Sequence, residues 1–436
     1  MNELRIGMLG FGTVGLGTAK LLLNQQELLE ERTGVRMRLV AIATKDPERD
    51  RGIDLGDVEL GTDVNRIIQG NDIDVVVELI GGIHPAYEYV RQSLENGKDV
   101  VTANKALLAS HGNELFRLAE KLDRDLGYEA SVAGAIPVIK TLKESLAANR
   151  IQQVFGILNG TCNHILTEMR ERNLSYEESL RNAQELGFAE ADPTFDVEGI
   201  DAAHKLAILS AIAFGTPISV QNISVEGITR ITDIDITWAT EMGYRIKLLA
   251  VAKLENGMMD LRVQPTIVPL TSMVAAVEGV FNAVFVQGDF SGTTMYYGRG
   301  AGEKPTASSV VSDLVEIARN LKSGSPCRVP SLSFLTSHLR EYPTRPLGDL
   351  SCEYYLRLMV EDKPGVLADI TAILKNQQVS IKILHQQGRS KKDAVPLVMV
   401  THECSERRMQ ASLQEIRQLP SVKEEPNLIR IAQLPV

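Results

Sequence analysis

The stretch from Ala183 to Lys205, AQELGFAEADPTFDVEGIDAAHK, carries the residue types best suited to proton chemistry. It sets acidic residues, including Glu190 and Asp196, around a Gly-Phe turn and a proline, then opens a helix bearing Asp201 and Lys205. From Asp201 to Phe214 that helix is apolar on nearly every side, the pattern of a buried helix. Asp201 and Lys205 are four apart and share a face. Asp and Lys are rarely buried unless paired, and a buried pair contributes little net stability. Chemistry at the lip of a cleft explains the pair better: an ammonium that stabilises charge on an oxygen and exchanges a proton with it, oriented by a carboxylate. The plain alternative is a surface salt bridge worth about 0.3–0.5 kcal/mol.

Five other segments add chemistry. GFGTVG, comprising Gly10, Phe11, Gly12, Thr13, Val14 and Gly15, follows a strand pattern and opens a helix. Gly10 suits the tight turn, Gly12 lets backbone approach a pyrophosphate, and Gly15 lets helix and strand pack closely. The helix N-terminus then faces the negative charge of a dinucleotide. The second strand ends Ala43-Thr44-Lys45-Asp46, with no acid at the strand end proper and with Arg49 and Arg51 nearby. That favours NADP(H), whose 2′-phosphate Lys45 would meet, over NAD(H), which stays possible; a solvated basic loop is the alternative. VVTANKALLA places Thr102, Asn104 and Lys105 just after a strand, where open α/β sheets hold ligands. ILNGTCNHI, residues 157–165, reads as a strand ending before a helix, either a carboxylate site or a capped turn. YEASVAGAIP, residues 128–137, joins Glu129 to small residues whose carbonyls suit a hard cation, or is only a tight loop.

These residues need elements to hold them. Residues 1–150 alternate strand and helix, which implies an α/β fold with a doubly wound parallel sheet of the Rossmann kind. The first helix is expected from about Val14 to Glu30. Residues 151–302 read as an α+β catalytic and dimerisation domain, and a helix over about 303–325 returns to the first domain. Residues 340–352, with two prolines and a glycine, read as a linker. Residues 353–436 follow the βαββαβ order of a ferredoxin-like module.

The 436 residues carry a net charge of −10, which argues against nucleic acid as the main partner. No apolar run reaches the ~18 residues of a membrane helix. Four scattered cysteines and seven histidines show neither disulfide nor zinc spacing, so a cytoplasmic protein with reduced thiols is expected.

In the order GxGxVG, VVTANK, NGTxN and G-x-D-x-x-x-K, with Gly187, Asp192, Pro193, Asp196, Gly199, Asp201 and Lys205 in register, the chain resembles the homoserine dehydrogenase family. DKPGVLADI, at residues 362–370, resembles the strand-to-helix turn of an ACT domain. The resemblance implies reversible NAD(P)H-dependent reduction of L-aspartate 4-semialdehyde to L-homoserine, in threonine, methionine and isoleucine biosynthesis. It implies Lys205 as the catalytic lysine, with Asp201 beside it and Lys105 facing it. It places Glu190, Asp196, Asp201 and Lys205 at the substrate. It places Gly10, Gly12, Thr13, Val14, Gly15, Lys45, Thr102, Lys105 and Gly302 at the cofactor. It matches Glu129, with the main chain of Val132, Gly134 and Ile136, to a sodium-binding (Na+) loop. It also implies a homodimer or homotetramer and feedback by L-threonine through the ACT domain. One departure is His164, where many members carry Tyr; a change in packing is expected there. The competing readings are another NADP-dependent amino-acid oxidoreductase and a non-catalytic amino-acid sensor.

Overall fold

The computed structural model describes residues 2–386 and 394–432; residue 1, residues 387–393 and the last four residues of the expected C-terminal module lie outside the description. Six strands form the first sheet: β1 (Glu3–Leu9), β2 (Arg36–Ala43), β3 (Glu59–Gly61), β4 (Val75–Glu78), β5 (Asp99–Thr102) and β6 (Leu126–Gly127), in the order β3-β2-β1-β4-β5-β6 and parallel throughout. Every residue of β4 and β5 is buried, as befits central strands covered on both faces. Strand order reverses between β1 and β4, which opens a crevice at the strand ends beside Gly10.

The helix after β1 runs Thr13–Asn24, and a second one, Gln26–Thr33, replaces the single expected helix. Gln25 leaves helical backbone at φ −123°, and the break turns Leu29 into the core. The Glu303–Ser323 helix packs back on the first helix. A side chain at Gly17 would meet Glu303 and Ala307 at 2.8 and 3.1 Å, so glycine permits the contact.

Eleven strands build the second sheet system: β7 (Ile151–Ile157), β8 (Ser224–Val225), β9 (Tyr244–Glu255), β10 (Met258–Pro269), β11 (Phe281–Gly288), β12 (Gly292–Arg299), β13 (Ser351–Val360), β14 (Ile381–Gln386), β15 (Val395–Thr401), β16 (Cys404–Ser405) and β17 (Asn427–Ile431). The main path is β12-β11-β7-β9-β10-β17-β13-β15-β14. The helices Gly160–Arg172, Tyr176–Glu185, Ile200–Phe214 and Asp233–Glu241 share one apolar core with β7, β9 and β10.

The βαββαβ module is part of this sheet. Its edge strand β17 pairs parallel with β10 at Thr266–Arg430 and Ile267–Ile431. Buried Asp235, on the Asp233–Glu241 helix, accepts hydrogen bonds from Tyr355 Oη (3.0 Å), Arg357 Nε (2.9 Å) and Asn427 Nδ2 (2.9 Å) of the module. The proline-bearing segment is held too: Met259 N donates to Pro343 O, Arg345 N to Met259 O, and Arg345 pairs with Glu255 at 3.0 Å. Among the described residues no helix is long and apolar enough to cross a membrane.

Asp235→Ala would strand the buried Arg357 guanidinium and two further donors. Breaking a buried pair from one side costs about 3–5 kcal/mol. Urea unfolding should show a loss of that size; a loss under about 1 kcal/mol would mean the junction is not held through Asp235.

Candidate functional site

Strand β7 ends at the floor of a cleft. Leu158 and Asn159 follow it, and Asn159 caps the Gly160–Arg172 helix by accepting from Cys162 N at 2.8 Å. The other end of the same amide donates to Asp196 Oδ1 (2.7 Å) and Asp201 Oδ2 (2.9 Å). Asp201 lies in the first turn of the Ile200–Phe214 helix, where the helix dipole favours an anion. Gly199 starts that helix at φ +81°, backbone that glycine adopts without strain.

The carboxylate of Asp201 is clamped by two lysines. Lys205 Nζ lies 2.7 Å from Oδ2, and Lys105 Nζ lies 2.9 Å from Oδ1. Lys205 also donates to Leu158 O at 2.7 Å. Lys105 comes from the first sheet: it opens the Lys105–Leu122 helix, whose cap Asn104 accepts from Leu107 N and donates to Gly82 O. The cleft therefore lies between the two sheets, with a volume of about 440 Å3. Asp201 and Lys205 are 3% and 7% exposed, so this is no surface salt bridge.

Burial and charge split the two ammonium groups. Burial pushes the Lys205 pKa below its ordinary value, and the neighbouring Lys105 charge lowers it further, against the pull of Asp201. Lys105 also loses solvation, but Asp201 outweighs that loss and raises its pKa. Asp201 stays well below the usual carboxylate range because the two lysines overcome its burial. Burial, then the charge of Asp201, raises Asp196.

Lys105, Glu190, Asp196, Asp201, Lys205 and Gly302 all line this cleft. Gly302 precedes Glu303, which pairs with Lys20 of the first helix at 2.8 Å, so the cleft opens toward the glycine loop. There, a side chain at Gly10 or Gly15 would strike backbone oxygen at 2.5 or 2.4 Å, while one at Gly12 meets nothing within 4 Å. Tight packing beneath an open Gly12 fits a pyrophosphate over Thr13 and Val14 at the helix start. Lys45 is exposed at the end of β2 and, among the described residues, has no partner. Arg51 is committed elsewhere: it donates to Phe11 O and Asp46 and stacks over the Phe11 ring at 4.8 Å.

Thr102 does not offer its side chain to a cofactor. It is fully buried, and its hydroxyl donates to Glu78 Oε2 at 2.6 Å and accepts from Asn104 N. Glu78 in turn accepts from Ile80 N and Gly81 N, so Thr102 ties the two rim loops together.

Glu129, Val132, Gly134 and Ile136 form a separate loop against the Glu303–Ser323 helix. Glu129 is buried and accepts from Ile139 N and Lys140 N; burial and Asp313 raise its pKa to about 7. The Gly134 carbonyl accepts from Ser309 and that of Ile136 from Val138 N. Carboxylate and carbonyl oxygens are donors of the class a hard cation takes.

Asn159, Asn282 and Arg299 line the cleft with contacts the sequence reading did not specify. Asn159 stood in a noted segment, but its two hydrogen bonds, to Asp196 and Asp201, join residues 37 and 42 positions apart. Asn282 donates to Leu158 O at 2.9 Å, and only a glycine at 300 leaves it room. Arg299 ends β12, an edge strand of GTTMYYGR without clear alternation. His164 packs edge-on against Phe188, a cleft residue, at 4.9 Å.

Comparison with known proteins agrees along the whole chain. Residues 10–129 match the homoserine dehydrogenase NAD binding domain, residues 137–315 the homoserine dehydrogenase family, and residues 354–421 the ACT domain. A homoserine dehydrogenase of Pseudomonas aeruginosa is 45% identical over 435 residues, and one of Neisseria gonorrhoeae 44% over 434, each covering 100% of both chains. The crystal structure of a homoserine dehydrogenase from Thiobacillus denitrificans superposes with a TM-score of 0.92 at 45% identity, covering 99% of this chain and 98% of that one.

Proposed function

This chain belongs to the homoserine dehydrogenase family, oxidoreductases acting on CH–OH groups, and on that premise we propose how its cleft works. The observation that carries the proposal is the buried Lys205–Asp201–Lys105 clamp. L-Aspartate 4-semialdehyde enters beside it, with Glu190 and Asp196 facing its ammonium group. A bound reduced nicotinamide supplies hydride to the aldehyde carbon. Lys205 Nζ uses two of its three donors on Asp201 and Leu158, which leaves one for the aldehyde oxygen. Its lowered pKa eases proton release to that oxygen, and Lys105, whose pKa is raised, keeps the positive charge in place. Asp201 holds both ammonium groups at fixed positions, and Asn159 holds Asp201.

The proposal extends to the partners of the reaction. Lys45 supports NADP(H) as the preferred cofactor, because it is the free cation at the end of β2. Glu129, with the carbonyls of Val132, Gly134 and Ile136, would hold Na+. L-threonine would regulate the enzyme through the C-terminal module.

Loss of NADPH absorbance on mixing with L-aspartate 4-semialdehyde tests the reaction. Lys205→Ala should lower turnover roughly 10²–10⁴-fold with NADPH binding retained; a turnover near wild type would remove Lys205 from the chemistry. Lys45→Ala should lower the ratio of NADPH to NADH efficiency, and an unchanged ratio would discard its role. For the cation, the sign follows from Glu129. Its folded pKa of about 7 exceeds the ordinary 4.5, so the folded state binds the proton more tightly and stability falls as pH rises from 4.5 through 7. Na+ requires the carboxylate and should flatten that fall relative to choline, an effect Glu129→Gln should abolish. Melting curves indifferent to Na+ at pH 8 would contradict the assignment.

A further inference from the structure

One wall of the catalytic cleft carries a buried amide whose bonding is incomplete. Asn282 lines the cleft from the second position of β11 and is 1% exposed. Its neighbour Phe281 lies on the other face of the strand, where it stacks on Tyr297 at 5.0 Å. Asn282 Nδ2 donates to Leu158 O at 2.9 Å, the same carbonyl that accepts from Lys205 Nζ at 2.7 Å. That bond fixes which way the amide faces, because turning it over would set two oxygens against each other. The amide oxygen is left with no hydrogen-bond partner among the described residues. Two cleft glycines edge it: a side chain at Gly300 would come within 2.6 Å of Oδ1, and one at Gly160 within 3.4 Å. A buried acceptor without a donor costs more than a made bond returns, so a site that keeps one calls for a donor from outside the chain.

We propose that Asn282 orients the nicotinamide ring, its amide oxygen accepting a hydrogen bond from the ring's carboxamide N–H. An acceptor selects a donor, which rules out a carboxylate or a phosphate as its partner. The substrate ammonium is a donor too, but Glu190 and Asp196 offer it two carboxylates in the same cleft. The wall that holds Asn282 runs through Gly300 and Gly302 to Glu303, which pairs with Lys20 of the helix after the glycine loop, so it belongs to the cofactor side. The aldehyde oxygen meets Lys205 in the reading above. An amide anchored at the same carbonyl as Lys205 therefore reaches the group that stands beside the aldehyde carbon. By holding the carboxamide, Asn282 keeps the ring from turning over and fixes the face it presents, the kind of alignment that hydride transfer needs. The inference deepens the reading of this cleft and rests on it for the place of the cofactor.

Calorimetry of cofactor binding to the full-length protein, without substrate, tests it. The probes are NADPH, its reduced thionicotinamide analogue, which keeps the N–H donor, and its reduced acetylpyridine analogue, which carries a methyl group in place of that donor. Wild type should bind the acetylpyridine analogue about 5–30-fold more weakly than the thionicotinamide one, the effect of leaving a buried acceptor unpaired. Asn282→Ala, and Asn282→Ser, whose hydroxyl can stay in the wall but is too short to replace the amide oxygen, are first checked for folding by their melting curves. Each should bind NADPH more weakly and lose the preference between the two analogues, a loss that a merely structural role would not produce. A folded variant that keeps the preference would assign it to another acceptor and overturn the proposal. Wild type that binds both analogues equally well would overturn it without any variant, while leaving the cofactor reading intact. Wild type that binds none of the three would overturn the cofactor reading and this proposal with it.

Discussion

The lysine clamp in the cleft depends on one buried carboxylate. Asp201 is nearly inaccessible to water, and an unpaired anion there would be prohibitive. Lys205, Lys105 and Asn159 remove that cost by covering its two oxygens with cationic and amide donors. The same contacts require that the first sheet deliver Lys105 to a helix of the second. Catalytic geometry and the docking of the two sheets are therefore one constraint. The clamp also makes two lysines differ, since one is enclosed while the other, a third exposed at its side chain, gains more from Asp201 than it loses.

A second buried carboxylate performs the corresponding task for the C-terminal module. Asp235 receives donors from three separate positions on β13 and β17, and β17 extends the catalytic sheet through β10. A module joined by backbone ladder and buried ion pairs cannot turn freely about its connecting segment. Arg430 adds a further tie, to Glu226 in the loop packed against the start of the catalytic-region helix.

Much of this was legible in the sequence where a signal is local. The run of apolar residues around Asp201 and Lys205 announced a buried helix, and GFGTVG after a strand announced the loop whose open glycine is Gly12. Residues 427–431 formed the strand their pattern implied. What stayed hidden depends on contacts between distant segments. Thr102 sits in a conspicuous motif, yet its hydroxyl is consumed by Glu78, 24 positions earlier. Asn159 looked like a cap and is one, but it also reaches two aspartates at once. β12 carries glycine at its first and seventh positions and has no fully buried residue, so it lacks the alternation that marks a half-buried strand. The segment at residues 340–352 has linker composition, and nothing in that composition reveals that its backbone bonds to Met259.

The account stands on the claim that two lysines sharing one carboxylate differ in proton affinity because they differ in burial. NMR of protein labelled with 13C at lysine Cε, with Lys205→Arg and Lys105→Arg variants for assignment, measures both titrations directly. Lys205 should titrate below an ordinary lysine and Lys105 above it. Asp201→Asn should lower both, because each loses the charge that favours its ammonium form. Lys205 titrating at or above the ordinary value, or two lysines titrating together, would contradict the account.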